Sequence, residues 1–404
     1  MEETGKPLSF FQHGMMPKEE TLDREKKGKH FVIGLPRETD PQETRISLTP
    51  QAVHLLVEGG HRVLIERGAG NGAKFSDHDY SEAGGELLGD KPSVFEASIL
   101  LKVSPLTKPE IDLLGPGKTI ITSLHLATRD ESYFQDLIRH KVTAIAFELI
   151  EDEAQELPVL RSMCEIAGTV AVNIGSGLLS SENNGKGILL GGITGITPTE
   201  VVILGAGTAA ENAARTALGM GAIVKVFDRS ITNLRSLKHF LGQEIFTSVM
   251  HPPVLKKAFE TADLVISTLQ RLHQDSFFMI PEDIIMSMKP GSILIDIHVD
   301  QGSSFETGIY TSREKPVFSR HGVVHYMVPN LPAKVARTAS IALSNVLMPI
   351  LLDKGRSGGI LQLIKDDWGV RHGVYLYNGI LTNELIGNQF GITSKDIDLL
   401  LSAF

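Results

Sequence analysis

From His30 onward, short apolar runs alternate with segments whose apolar residues recur at helical spacing. The runs HFVIGL (30–35), HRVLIE (61–66), SILLKV (98–103), KTIITSL (118–124) and VTAIAFEL (142–149) read as strands. Between them PQAVHLLVEGG, SDHDYSEAGG, TKPEIDLL and RDESYFQDLIRH open on Pro, Ser, Thr or acidic residues, as helix starts do. Continuous β-branched runs separated by helices indicate parallel strands buried on both faces. A long helical stretch follows from about Pro158 to Leu179, and then a glycine-rich loop, SENNGKGILLGGITGITP. A second α/β series starts at EVVILG (200–205) and continues through IVKVFD (223–228), EIFTSV (244–249), ADLVIST (262–268) and SILIDI (292–297). From about Ala333 the pattern turns helical again, in KVARTASIALSNVLMPILLDKG, GGILQLIKDDWG and NELIGNQFG.

This order predicts a discontinuous first domain, residues 30–157 plus 335–404, with a second α/β domain, 158–334, inserted into it. The long helices near 160–179 and 333–353 would be the two crossovers. Residues 1–29 precede the pattern as an N-terminal arm, with a short helix expected from Pro17.

The chain has 404 residues, enough for two domains with cores of their own. Its hydrophobic fraction of 42% and charged fraction of 22% exclude wholesale disorder. A formal net charge of −9 argues against nucleic acid or an anionic membrane as partner. Cys164 is the single cysteine, so an intrachain disulfide and a cysteine zinc site are both excluded. The N-terminus has mixed charges and no signal-peptide core, and IALSNVLMPILL, interrupted by Pro349, is shorter than a bilayer span. The expectation is a cytoplasmic protein that does not engage a membrane.

VVILGAGTAAENAARTALGMGAIVKVFD carries the clearest chemistry. An apolar strand ends at Gly205-Ala206-Gly207, a helix starts at Thr208, and a second strand ends in Asp228. In such an arrangement Gly205 permits a tight turn, Gly207 lets backbone approach a pyrophosphate, and Ala210 keeps helix and sheet close. The helix N-terminus then supplies free N–H groups to the phosphates. Asp228 is placed to accept from a ribose 2′-OH and would repel a 2′-phosphate, which favours NAD over NADP, although Arg229 follows directly. GKGILLGGITGI lacks the GKS/T ending of a phosphate loop and reads as a close-packed or hinge segment.

In open α/β sheets ligands gather beyond the carboxyl ends of the strands. That rule selects Arg45 after the first strand, Lys102 and Ser104 at the end of SILLKVS, His125 after KTIITSL, and Asp300 in IHVDQG. An arginine can hold a carboxylate with two parallel bonds. A histidine can exchange a proton with a carbonyl or imine nitrogen, and a carboxylate can position water or ammonia. Beside a nicotinamide, these groups suit hydride transfer at the α-carbon of a small amino or hydroxy acid. Each has a plain structural alternative: Arg45 paired with Glu43 on the surface, His125 bonded to backbone, Asp300 capping a turn.

The segments IGLPRETDPQETRISLTP, GGHRVLIERGAGNGAKFSDHDYSEAGG, SLHLA, GILLGGITGITP, VILGAGTAAENAA, MKPGSILIDIHVDQG, HGVVHYMVPNLP and ARTASIALSN together resemble the alanine dehydrogenase and proton-pumping transhydrogenase family, from about Val32 to near the end of the chain. The resemblance implies two Rossmann-like domains with parallel sheets, NAD in the cleft between them, and a homohexamer in the dehydrogenase branch. It implies that Arg45 holds the substrate carboxylate, that His125 bonds the substrate carbonyl and moves a proton, and that Asp300 assists the imine and water steps. Asn330, in VPNLP, would lie near the nicotinamide, and Cys164, in RSMCEIAG, near the adenine side. DQG at 300–302 resembles the dehydrogenases rather than the transhydrogenase subunits.

One departure stands out. The dehydrogenases carry Lys-Val-Lys after the third strand of this series, and the second lysine contacts substrate; here the triplet is Lys102-Val103-Ser104. Serine can hydrogen-bond but brings no charge. Lys102 lies two residues back on the same strand face, roughly 6.6 Å away, and Lys108 is in the next loop. The reading is therefore an NAD-dependent dehydrogenase of L-alanine. The alternatives are a dehydrogenase of another amino acid, a soluble NAD(H)-binding transhydrogenase-type subunit, and a relative that binds NAD(H) without turnover.

Overall fold

A computed structural model describes residues 30–270, 278–353 and 359–402. The N-terminal arm and the helix expected from Pro17 lie outside the described residues. The first sheet contains β1 (Val32–Leu35), β2 (Arg62–Glu66), β3 (Glu86–Leu88), β4 (Ile99–Leu101), β5 (Thr119–Thr122) and β6 (Thr143–Ala146). The second contains β7 (Glu200–Leu204), β8 (Ile223–Asp228), β9 (Phe246–Val249), β10 (Leu264–Ser267), β11 (Ile293–Asp296), β12 (Val317–Arg320) and β13 (Val323–Tyr326). The chain then returns to the first sheet with β14 (Val374–Tyr377) and β15 (Ile380–Leu381). The strand orders are β15-β14-β6-β5-β4-β1-β2-β3 and β12-β13-β11-β10-β7-β8-β9.

β1 to β6 pair in parallel, as do β7 to β11 and β13. The apolar runs explain this: Ile33, Leu35, Ile99, Ile121 and Ile145 enter one core of the first sheet, while Leu100, Ile120 and Ala144 enter the core on its other face. The second sheet divides the same way, with Val201 and Ile203 on one side and Val202 and Leu204 on the other. Helix starts follow their caps. The Thr49 side chain accepts from the Ala52 N–H, Ser76 forms a capping box with Asp79, and Asp130 accepts from the Tyr133 N–H.

Four strand regions depart from the sequence pattern, the first being β3, three residues at the sheet edge that the apolar runs do not mark. VTAIAFEL stops as a strand at Ala146, and Phe147–Leu149 tighten into a 3-10 turn that points Glu148 back under β5. The region read as helical segments after Ala333 also contains the β14–β15 hairpin, which pairs antiparallel with β6. Its turn is Asn378-Gly379, with φ of +48° and +76°, the left-handed pair a two-residue hairpin needs. β12 and β13 are joined the same way, through His321 and Gly322 at φ of +53° and +75°.

The helices Pro158–Leu179 and Ala336–Asp353 pass between the sheets and pack on each other. Among the described residues, Pro158–Leu179 and Leu331–Leu352 are long and apolar enough to cross a bilayer by length and composition alone. The second corrects the shorter estimate drawn from the sequence, because the 3-10 turn Leu331–Val335 extends the helix at its start. Much of their apolar surface faces the cores of the two sheets.

Gly168 explains how closely the first crossover approaches the nucleotide-type domain. A Cβ built there would lie 2.1 Å from the Ala209 carbonyl oxygen and 2.9 Å from the Ala213 nitrogen, both backbone atoms of the helix Thr208–Gly219. Gly168→Ala is therefore expected to lower unfolding stability by about 1–3 kcal/mol through overpacking, read as a lower urea midpoint with unchanged slope. A midpoint equal to that of the unsubstituted chain would contradict the close contact.

Candidate active site

The carboxyl ends of the two sheets face one cleft. Across it, the Asn330 Nδ2 donates to Glu43 Oε2 at 2.9 Å, and the Thr44 hydroxyl donates to the Ala333 carbonyl at 2.6 Å. The turns Leu126–Thr128 and Val299–Gln301 pack against each other. His125 immediately precedes the first turn and Asp300 lies within the second, so residues 175 positions apart share one cleft.

Arg45 pairs with Glu43, as its plain structural alternative holds, but the pair is buried rather than on the surface. Nε donates to Glu43 Oε1 at 2.8 Å and Nη2 to Oε2 at 2.6 Å. This bidentate grip uses one edge of the guanidinium. The remaining Nη1 donates to the Met163 sulfur at 3.2 Å. The guanidinium keeps the buried Glu43 carboxyl below the usual carboxylate range in spite of desolvation.

His125 sits at φ +46°, ψ +50°, a left-handed conformation that disfavours a side chain. The Leu124 N–H beside it donates to Glu148 Oε1 at 2.7 Å, while the second oxygen of that buried carboxylate has no partner. Burial raises the Glu148 pKa. The His125 ring keeps a solvent-facing surface, yet desolvation by the cleft walls, followed by the charge of Arg45, lowers its pKa. It is the neutral imidazole near pH 7. Burial raises the pKa of Asp300. The cleft thus pairs an imidazole that sheds its proton with a carboxyl that holds one more readily than usual.

Lys102 is fully buried and has its own partners, Glu38 at 3.0 Å and Glu110 at 3.6 Å. Its ammonium therefore has no surface in the cleft. Lys108 is engaged as well, with Asp136 at 2.9 Å. The Ser104 backbone N–H donates to Glu38 Oε2 at 3.3 Å, and its hydroxyl bonds to none of the described residues. Cys164 lies half-buried on the crossover helix, where burial and Glu165 push its thiol up to about 11, so it is not a thiolate near neutrality.

The Gly205 turn meets the requirements of a nucleotide. Gly205 adopts φ +97°, and a Cβ there would lie 2.3 Å from the Thr268 hydroxyl. Gly207 caps the helix Thr208–Gly219 without a side-chain partner, and a Cβ built on it meets nothing within 4 Å. Space and free N–H groups coincide at the helix start, which suits a pyrophosphate. Ala210 is fully buried. Asp228 supports the turn from below: Oδ2 accepts from the Ala206 N–H at 2.8 Å and Oδ1 from the Ser230 N–H at 2.7 Å. Lone pairs on both oxygens remain for a ribose.

Reading the sequence missed four residues of the cleft: Glu38, Glu43 as a buried partner, Glu148, and His298, whose Nε2 lies 3.3 Å from the Gln270 Nε2. The strand-end rule that selected His125 and Asp300 reaches Glu148 and His298 too. Nothing in the sequence marks Glu43 as buried. Gly207→Ala separates the two possible roles of that turn. It is expected to leave the thermal midpoint unchanged, because its Cβ enters open space, and to weaken NADH binding in a fluorescence titration roughly tenfold or more. Unchanged affinity would refute the nucleotide assignment.

Comparison with known proteins places this geometry. Residues 34–167 match the family model of the alanine dehydrogenase/PNT N-terminal domain, and residues 171–384 match that of the C-terminal domain. The chain is 37% identical over 367 residues to alanine dehydrogenase 2 of Staphylococcus aureus (strain USA300), covering 91% of this chain and 98% of the relative. It is 37% identical over 362 residues to alanine dehydrogenase of Bacillus subtilis (strain 168), covering 89% and 95%. Among solved structures, an L-alanine dehydrogenase superposes with a TM-score of 0.83 at 34% identity, covering 89% of this chain and 99% of that one. A transhydrogenase from Sinorhizobium meliloti shares the fold, with a TM-score of 0.75 at 23% identity over 87% of this chain and all of that one. With both domain models matched in order and the relatives covered almost end to end, the chain belongs to the alanine dehydrogenase/PNT family, whose members use a nicotinamide nucleotide.

Proposed function

We propose that the chain is an NAD-dependent alanine dehydrogenase that interconverts L-alanine, NAD and water with pyruvate, ammonium, NADH and a proton. The observation that carries this reading is the closure of the cleft, with the His125 turn packed on the Asp300 turn above the buried Arg45. Near-complete alignment with named alanine dehydrogenases supports it.

The chain's own residues divide the work. The outer edge of Arg45, whose Nη1 bonds only the Met163 sulfur among the described residues, holds the substrate carboxylate, and the pairing with Glu43 fixes the direction in which that edge points. Neutral His125 accepts a proton as the α-carbon oxygen or nitrogen gives one up, and returns it in the reverse direction. Asp300 holds the water that attacks the imine carbon, or the ammonia in reverse. The Gly205–Gly207 turn and Asp228 hold NAD, with Asn330 toward the nicotinamide and Cys164 toward the adenine side. When bound, NAD supplies the acceptor for the substrate α-hydride. Ser104 lines the pocket as a neutral donor and acceptor, while Lys102 acts through Glu38 rather than on substrate. The loss of a lysine at Ser104 also favours a second reading, turnover of another small amino acid. We further propose a homohexamer in the cytoplasm, with the domains divided as 30–157 plus 335–404 and 158–334.

Initial rates of NADH formation over a panel of amino acids test the assignment. Alanine should turn over, and His125→Ala and Asp300→Asn should each lower kcat by about two orders of magnitude or more with NADH affinity retained. NADH binding without turnover of any amino acid would refute it. Ser104→Lys should raise alanine turnover if serine limits the rate, and an equal or lower rate would show that it does not.

The pH profile gives a further check. A base with a lowered pKa stays competent until the pH falls through that lowered value. The acid limb of kcat/KM for alanine oxidation is therefore expected below 6.5, the ordinary imidazole value. Arg129 also disfavours the imidazolium, so Arg129→Gln should move that limb to higher pH. A limb at or above 6.5 in the unsubstituted enzyme would contradict the assignment of His125.

A further inference from the structure

A second polar cluster lies on the carboxyl end of β13, among residues that the proposed reaction does not use. The loop leading into β12 is pinned there by Thr311, whose N–H donates to the Met327 carbonyl at 3.0 Å and whose hydroxyl accepts from the Met327 N–H at 3.2 Å. This places Arg313 beside Tyr326. The Arg313 Nε and Nη2 atoms are both buried, and neither has a hydrogen-bond acceptor. These two atoms form one edge of the guanidinium, the edge that grips a carboxylate or phosphate with two parallel bonds. The same edge of Arg45 is filled by Glu43; on Arg313 it meets no acceptor among the described residues.

Two further donors lie in the neighbourhood of Arg313, whose charge acts on both. The Tyr326 hydroxyl is buried without a partner, and the Lys334 ammonium stands 5.4 Å from the centre of the Tyr326 ring. Burial pushes the phenol up to about 12, so it stays a donor. Burial and the charge of Arg313 lower the pKa of Lys334, as expected for two cations in reach of each other without an intervening anion. The adjacent acid, Glu314, is turned to Ser312 and solvent. Neither Arg313 nor Lys334 makes an ion pair among the described residues. Leaving two N–H groups and a hydroxyl buried and unpaired is unfavourable, and a bound acceptor would relieve it. A site made only of donors, two of them on cations, is complementary to an oxyanion.

We propose that Arg313, Lys334 and Tyr326 form an oxyanion-binding site outside the substrate and nucleotide residues, which takes a compact carboxylate or phosphate. Arg313 would grip two oxygens of the anion, the Tyr326 hydroxyl would donate to one of them, and the exposed Lys334 stem would leave an opening to solvent.

Calorimetric titration tests this with the full chain saturated in NADH, so that the Gly205 turn is occupied. Inorganic phosphate is titrated in one arm and succinate in the other, at constant ionic strength set with sodium chloride. The expected result is one equivalent of phosphate per chain, and one of succinate beyond any held at Arg45, each weakened roughly tenfold or more by Arg313→Gln and less by Lys334→Gln. Arg320→Gln removes an exposed arginine paired with Glu282, and should leave binding unchanged. Tighter binding in the phosphate arm identifies a phosphoryl ligand, and tighter binding in the succinate arm a carboxylate. Lys334→Gln, at an exposed side chain, keeps the test decisive if Arg313→Gln destabilises the fold. The proposal is overturned if neither anion gives heat beyond the chloride control, or if Arg313→Gln and Lys334→Gln bind as Arg320→Gln does. A structure of the assembled protein with an acidic side chain of a second copy in the Arg313 fork would also overturn it.

Discussion

The cleft depends on one buried carboxylate. Glu43 accepts from its own loop at the Thr44 and Arg45 N–H groups, from the Arg45 guanidinium along a full edge, and from Asn330 on the opposite sheet. A charge this deep is tolerated only when its lone pairs are satisfied. All of those donors must therefore converge for the loop after β1 to take its shape. The arginine is aimed and the two sheets are held together by the same atoms, so opening the cleft uncovers a charge that closing it pairs again.

Around that anchor, burial sets the protonation states. Desolvation acts against the charged form of every group, so it lowers the imidazole of His125 and raises the carboxyls of Asp300 and Glu148. The three respond in the direction that brings acid and base closer to each other's range. Lys102 sits apart from the cleft, with Glu38 and Glu110 around its ammonium. The charge it carries steadies the end of β4 through Glu38, which also accepts from the Val103 and Ser104 N–H groups.

Much of this could be read before the structure. The parallel strands were legible because strands buried on both faces are apolar throughout, and the nucleotide turn because its glycines, helix and terminal acid come in a fixed order. The hairpins β12–β13 and β14–β15 were not, since strands of two to four residues are too short to show a period of their own; their turns, His321-Gly322 and Asn378-Gly379, were the available signal. Strand ends located His125 and Asp300, but not the burial of Glu43 or the enclosure of Lys102. Those depend on packing between segments far apart in the chain. The unpaired guanidinium edge of Arg313 belongs to the same class, because a missing acceptor is a property of three-dimensional neighbours.

Asp228 carries a consequence for how this enzyme class can diversify. Its two oxygens already brace the nucleotide turn through Ala206 and Ser230, so the residue that would discriminate between the two nicotinamide dinucleotides is also a structural strut. Exchanging it for a neutral or basic side chain removes the brace at the same stroke as the repulsion. If Asp228 sets that choice, as proposed, a lineage or a designer seeking the phosphorylated dinucleotide must rebuild the loop's support elsewhere before the acid can be given up, and the choice is tied to backbone shape.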